Sequence, residues 1–426
     1  MEINERRNQM TTRLGSKIFG TGFSALKHRN FRLFFIGQCI SLIGTWMQNI
    51  GQTWLVLQIT HSALKLSVVT MMQFLPMMVF SLFAGTVIDR FSKRKVLIFT
   101  QTSMMILAIV LATLTYFNVV QYWHIIVLAL LLGIVNTLDM PTRQSYFIEL
   151  VGRKDLMNAI ALNSGIFNLA RVVGPAIAGI LIKLVGIPIC FYLNALSFVA
   201  VIISLNMIKT TTIQPVPEKI ESFSQVVNDI KDGLKYIKQT NIILVPLILI
   251  AVISLFAMNY SVLIPLFASQ TLGQDSAGYG FIMTCMGLGS LVGAMVIAAR
   301  SQSGPKNKYM IIGALATCLF MAILGLEHNY ILACITLFAI GLSSIVFTAL
   351  ANSIIQLNSA DAMRGRVMSV YTLVFLGVTP IGSLATGGLI ELIGISKTML
   401  VSGIFSSLIT LLTVYLLSRN RKPQTA

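Results

Sequence analysis

Acidic side chains are scarce in this chain: 14 Asp and Glu stand against 31 Lys and Arg in 426 residues, and charged residues of all kinds reach only 11%. So little charge cannot coat a soluble body in which 56% of residues are apolar, because a water-facing surface needs a denser mix of polar groups. Histidine is rarer still, and His28, His61, His124 and His328 are scattered near the ends of apolar runs. Cys39, Cys190, Cys285, Cys318 and Cys334 all fall inside such runs, odd in number and without C-x-x-C spacing. Neither a metal centre, a disulfide framework nor a clustered catalytic set fits that pattern, so no enzyme and no cofactor is expected. The cysteines read as free, small apolar residues. A G-x-x-x-x-G-K-[ST] loop is also absent, which leaves the chain without a nucleotide engine. Gly287-Leu-Gly289-Ser-Leu-Val-Gly293 lies within an apolar run and reads as small-residue helix packing, not as a dinucleotide turn. The first 30 residues hold no apolar core followed by a small-residue cleavage site, so no cleaved signal peptide is expected.

Long apolar runs are what the sequence has instead. Twelve occupy approximately 31–57, 66–88, 96–118, 122–147, 157–184, 188–208, 242–267, 279–299, 309–326, 330–357, 367–393 and 398–417. Most are near the roughly 20 residues a helix needs to cross a ~30 Å hydrocarbon core. They are continuously apolar, whereas membrane barrel strands alternate. The expected fold class is therefore all-α integral membrane, with twelve transmembrane helices.

A net charge of +17 is compatible with a nucleic-acid partner, so the placement of the cations decides the matter. Of 31 Lys and Arg, 27 lie in the N-terminal tail, the loops at 89–95, 143–154, 209–238 and 300–308, at Arg364 and Arg366, and in the C-terminal tail. The loops between carry only Lys65, Lys183 and Lys397, and Arg171 sits inside a span. Such one-sidedness is the positive-inside pattern and places both termini in the cytoplasm; the partner is a lipid bilayer, not nucleic acid.

The chain divides into a tail (1–30), a six-helix half (31–208), a polar linker (209–241), a second six-helix half (242–417) and a short tail (418–426). In the linker Phe223, Val226, Val227, Ile230, Leu234 and Ile237 recur at helical spacing after Ser222, which predicts an amphipathic surface helix. The halves repeat: Asp155 and Met157 match Asp361 and Met363 at an offset of 206, Pro175 matches Pro380 at 205, and Gly179 matches Gly387 at 208. Two pseudo-symmetric halves place a cargo site between them near the midplane, within a monomer.

At the end of the second span stands Gly85-Thr-Val-Ile-Asp89-Arg90-Phe-Ser-Lys93-Arg94-Lys95. It resembles the major-facilitator signature G-x-x-x-D-R-x-G-R-R, with Ser92 replacing a glycine. Asp89 at the membrane edge needs cations or a helix N-terminus to offset its desolvation, and a contact of that kind can latch one conformation. In the second half Ala294-Met-Val-Ile-Ala298 occupies the equivalent place without the acid. Asp139, in Asp139-Met-Pro141-Thr-Arg143-Gln144, is a candidate partner for Lys93 or Arg94, and alternatively a proton-titrating carboxylate.

Gly165, eight residues, then Gly174-Pro175-Ala-Ile-Ala178-Gly179 resembles the exporter-associated g-x8-G-P-x-x-G-G signature of the fifth helix. Small residues around a proline permit close packing of the halves and a seal at one mouth. Arg171, three residues before that glycine, should face the central cavity or an acid, where it binds an anionic cargo group, joins the coupling machinery, or is held by backbone carbonyls or Asn168. On the first span Gln38, Ser41, Thr45, Gln48 and Gln52 form one polar stripe. Asn259 and Tyr260, Ser343, Ser344 and Asn352, and Tyr371 and Thr372 are further polar candidates for a cavity lining or for interhelical bonds.

Together with Phe31-Arg-Leu-Phe-Phe-Ile-Gly37-Gln38, Trp46-Met-Gln48, Gln73-Phe-Leu-Pro76 and Ala170-Arg171-Val-Val-Gly174-Pro175, these motifs resemble the bacterial major-facilitator branch that includes the enterobactin exporter and macrolide-efflux proteins. The resemblance covers about residues 25–417. It implies proton-coupled efflux of a small amphipathic compound, a drug, macrolide or siderophore, across the bacterial cytoplasmic membrane. Alternatives are an importer of lysophospholipids or nutrients with the same fold, and a non-transporting membrane sensor.

Overall fold

The computed structural model describes residues 23–88, 91–209, 223–300 and 304–419, and among these every regular element is helical. A 3-10 turn at Ser24–Lys27 leads into α1 (Arg29–Thr60), α2 (Ala63–Ile88) and α3 (Lys93–Tyr116). The run Tyr122–Leu184 is interrupted only at Gly152, whose φ of 71° and ψ of 175° are open in practice to glycine alone. That residue separates α4 (122–151) from α5 (153–184), and α6 (Pro188–Met207) completes the first half. After α7 (Phe223–Gln239) come α8 (Asn241–Phe256), α9 (Tyr260–Leu266), α10 (Ser276–Ala299), α11 (Asn307–Leu324), α12 (Tyr330–Asn358), α13 (Asp361–Gly377), α14 (Thr379–Ile393) and α15 (Ile395–Arg419).

Eleven helical runs among the described residues are long and apolar enough to cross a membrane, and the 63-residue run at Tyr122–Leu184 holds two passes, giving twelve. Two passes are discontinuous. The seventh unwinds at 257–259 between α8 and α9 and ends in a π-helical turn, Phe267–Thr271; the eleventh breaks at Val378. Pro380 explains the second break, since its ring crowds the carbonyl four residues back and its nitrogen donates nothing.

Backbone approach governs the packing. Gly37, Gly44 and Gly51 recur every seven residues along α1, and a Cβ on them would stand 3.1 Å from Val201 Cα, 3.0 Å from Asn194 Cα and 3.2 Å from Cys190 Cβ on α6. Between helices in lipid, where apolar burial drives nothing, such seams supply the dispersion contacts. Apolar side chains on the outer helices stay uncovered, as at Phe99, Leu196 and Leu408, which suits a hydrocarbon surround.

The duplication is visible in the backbone. Gly186 (φ 106°) and Gly394 (φ 82°), an offset of 208, turn the chain between the fifth and sixth and the eleventh and twelfth passes. Ahead of each half a short segment packs on the start of the fifth or eleventh pass. Ser24 Oγ donates to Asp155 at 2.6 Å and Ala25 N to Asn158 Oδ1 at 2.9 Å. In the second half α7 plays this part: Ala360 N donates to Tyr236 OH at 3.2 Å and Arg366 pairs with Asp232 at 3.2 Å. One end of the bundle thus carries the basic loops, and we call the other the far end.

Candidate translocation path

Gly179 of the fifth-helix motif brings the two halves together near the far end. A Cβ on Gly179 of α5 would meet Ser276 O at 2.7 Å and the Cα atoms of Ala277 and Gly280 at 3.1 Å, so α5 and α10 touch backbone to backbone. Ser276 Oγ donates to Gly179 O at 3.4 Å, Thr284 Oγ1 donates to Val172 O at 3.2 Å, and Trp54 of α1 stacks on Tyr279 of α10 with ring centroids 5.7 Å apart. Gly174 fits against α1, where a Cβ would lie 2.5 Å from Trp46 Cβ and 3.1 Å from Ile43 O. Gly165 has nothing within 4 Å of such a Cβ. The duplicated contact lies across the bundle: Gly387 of α14 lies against α2, a Cβ there reaching Ala63 O at 3.0 Å.

Charge reinforces both seams at equivalent places. Lys183, at the end of α5, pairs with Asp275 at 2.8 Å, and Asp275 is the N-cap of α10, accepting from Gly278 N at 3.0 Å. Glu391, 208 residues after Lys183, accepts from Ser62 Oγ at 2.6 Å and Leu64 N at 3.2 Å at the start of α2. In both, a carboxylate stands at a helix N-terminus, where an anion is favoured, and its contact joins the two halves. The hydrogen bond from Lys183, then that from Gly278 N–H, holds the Asp275 carboxyl below the usual carboxylate range. A depressed pKa makes its contribution present above the ordinary carboxylate value and lost as pH falls through the lowered one. Both partners are at least half exposed, so Lys183→Gln should raise the far-end-open population no more than about fivefold at neutral pH. Acidification should loosen the wild type only below the ordinary carboxylate range. Spin-label distances between the far ends of α5 and α10, followed with pH, check both.

Among the described residues, hydrogen bonds and ion pairs between the halves lie at the far end or the middle of the bundle. Toward the basic end Met157 and Phe167 on α5 and Met295 on α10 are exposed. Contacts between the halves thus gather at the far end and the middle of the bundle.

Arg171 occupies the middle of α5 with its guanidinium over the Trp46 ring, 5.8 Å from the centroid. Among the described residues no carboxylate pairs with it, and Asn168 donates to its own helix at Ser164 O. Asn259 lies at the break of the seventh pass, where its Nδ2 donates to Leu255 O at 2.8 Å and satisfies a carbonyl freed by the unwinding. Tyr260 opens α9, and Tyr371 stacks on Phe375 in α13. Discontinuous helices at mid-depth are where transporters of this architecture place polar sites. The α1 stripe is partly claimed within the first half: Gln48 accepts from Asn194 Nδ2 at 2.6 Å, Gln38 accepts from Arg143, and Thr45 donates to Ser41 O. Gln52 is buried.

Asp139 requires a correction. Its cation is Arg143, one helical turn on, and not Lys93, which pairs with Glu149 at 2.7 Å. Arg94 donates to Asn206 O at 3.1 Å. The i,i+4 spacing on α4 gives Arg143 the shorter reach, and Thr100 Oγ1 and Gln101 Nε2 of α3 complete the cage at 2.7 and 2.8 Å. Gly85 falls within α2, while Asp89 and Arg90 of the expected latch lie outside the described residues. Sequence reading passed over the Lys183, Asp275 and Glu391 contacts; the signal was there, since charge is rare in the far-end loops. Dismissal of the Gly287 run as packing agrees with the structure, where a Cβ on Gly287 would meet Arg171 O at 2.8 Å and one on Gly293 would meet Leu342 O at 2.8 Å.

Comparisons with known proteins bear on the same architecture. The transmembrane secretion effector family matches residues 20–425. The staphyloferrin A transporter of Staphylococcus aureus is 28% identical over 397 residues, 92% of this chain and 96% of that one. The multidrug efflux pump Tap of Mycolicibacterium fortuitum is 24% identical over 369 residues, covering 85% and 90%. A solved POT family transporter in complex with 5-aminolevulinic acid superposes with a TM-score of 0.71 at 12% identity, over 92% of this chain and 97% of that one, which establishes the fold alone. This chain is a multi-pass membrane transporter, not an enzyme, and belongs to the transmembrane secretion effector family of major-facilitator proteins.

Proposed function

We propose that this protein exports a small amphipathic compound, a drug, macrolide or siderophore, from the bacterial cytoplasm by alternating access driven by inward proton flow. The observation that carries the reading is the glycine-lined α5–α10 seam, which supports a far-end seal formed by the exporter-type motif and a path open toward the basic loops. With the basic loops in the cytoplasm by the positive-inside rule, that state loads cargo from inside. The efflux relative and the siderophore transporter support the cargo class. Asp139, the one buried carboxylate among the described residues, is the coupling acid of this reading, and rocking of the halves carries cargo past the midplane. Arg171 over Trp46 supports a second reading of the cargo, that it presents an anionic group.

Inside-out vesicles with an imposed proton gradient test the proposal, with labelled macrolides, catecholate siderophores and lipophilic cations offered outside and interior pH recorded. Uptake of one class that collapses with the gradient is expected. Uptake of cargo only in right-side-out vesicles would overturn export.

A further inference from the structure

We propose that the second half carries a binding site for one anionic glycerophospholipid of the leaflet at the basic end, in a lateral groove between α10 and α11 over α12. The groove encloses about 530 Å³, within the roughly 300–1,000 Å³ of sites for small organic molecules. Ile297, Ile312, Val346 and Leu350 are among its apolar walls, and Arg300 and Lys306 stand at its basic end. None of the lining residues is acidic.

Three observations choose the occupant. First, the charge lies at one end: Arg300 directly follows the last residue of α10 and Lys306 is the N-cap of α11, so both sit where these passes meet the membrane surface. Second, neither cation forms an ion pair with a described residue; Arg300 lies 5.9 Å from the Tyr309 ring centroid, a contact that uses none of its N–H donors. Third, the lining follows α12 from Leu357 to Leu342, about 22 Å at ~1.5 Å per residue, which takes it from the surface to mid-depth. A ligand with an anionic head at the interface and an apolar tail along the groove satisfies all three, and a membrane presents such molecules at high local concentration. The proposal rests on this groove alone and on neither the cargo nor the export direction.

The test reconstitutes the full chain in phosphatidylethanolamine and phosphatidylglycerol nanodiscs, extracts it in mild detergent, and counts retained lipid by native mass spectrometry. Arg300→Gln with Lys306→Gln should lower phosphatidylglycerol retention about fivefold for each charge removed, with phosphatidylethanolamine unchanged. Val346→Trp, which fills the groove and keeps both charges, should lower retention as well, and size-exclusion profiles confirm that each variant is folded. Equal phosphatidylglycerol retention in the wild type and either variant would overturn the proposal. So would a Val346→Trp protein that loses transport but keeps its phosphatidylglycerol, since the groove would then belong to cargo.

Discussion

Leucine at Gly179 is expected to abolish transport while leaving the protein folded and inserted. The Cβ positions at this crossing face backbone, Ser276 O at 2.7 Å and the Cα atoms of Ala277 and Gly280 at 3.1 Å, so no side chain can swing aside. Relief requires α5 and α10 to separate, which costs the closed far end about 1–3 kcal/mol, a shift of about 5- to 150-fold in its population. The far-end-open state loses nothing, because there the helices are already apart. Cysteines at Lys183 and Asp275, whose native side chains meet at 2.8 Å, should be bridged readily by a bifunctional thiol reagent of lysine-like reach in the wild-type background and fail to be beside Gly179→Leu. Thermal stability should change little. If cross-linking and transport both persist, this seam is not the far-end seal.

Much of the fold was legible because lipid restricts what a chain can do. Spans must be helical and about 20 residues long, and the twelve apolar runs fell within a few residues of the observed passes, from Arg29–Thr60 to Ile395–Arg419. The breaks were not legible: hydropathy averages over Asn259 and Val378, and Pro175 and Pro380 occupy duplicated positions with opposite results, α5 running through its proline and the eleventh pass breaking before its own. Whether a proline breaks a helix depends on what can replace the lost bond, which is a property of neighbours.

Motif spacing located the fifth-helix glycines but could not say what they touch. Gly174 proved to be an α1 contact and Gly179 an inter-half contact, five residues apart on the same helix. The polar stripe of α1 left its partners open for a related reason. Gln38, Ser41, Thr45, Gln48 and Gln52 follow helical periodicity, yet they flank the Gly37, Gly44 and Gly51 seam against α6, so part of the stripe faces the interior of one half. A polar face shows that a helix has polar neighbours; only packing decides whether these are water, cargo or protein. At the far end the signal was rarity. Lys183, Asp275 and Glu391 are isolated charges at helix ends in a region poor in them, and each is used at a seam between the halves.

Asp139→Asn is expected to destabilise the first half and to abolish gradient-driven accumulation, two effects that separate on a second substitution. The carboxylate accepts from Thr100 Oγ1, Gln101 Nε2 and Arg143, and is 1% exposed. An asparagine keeps one acceptor and turns a donor toward other donors, leaving Arg143 without its counter-ion. Breaking a buried pair costs about 3–5 kcal/mol, and the partial exposure of Arg143 places this case at the lower end of that range. Adding Arg143→Gln removes the uncompensated charge, so the double variant should recover a large part of the lost thermal stability, as a cycle of single and double variants would show. Coupling should not return with it. In the double variant, cargo should still equilibrate down its own gradient, while an imposed proton gradient should drive no net accumulation and cargo movement should leave interior pH unchanged. Full uphill transport by a stable double variant would assign Asp139 a purely structural role and move the coupling acid elsewhere.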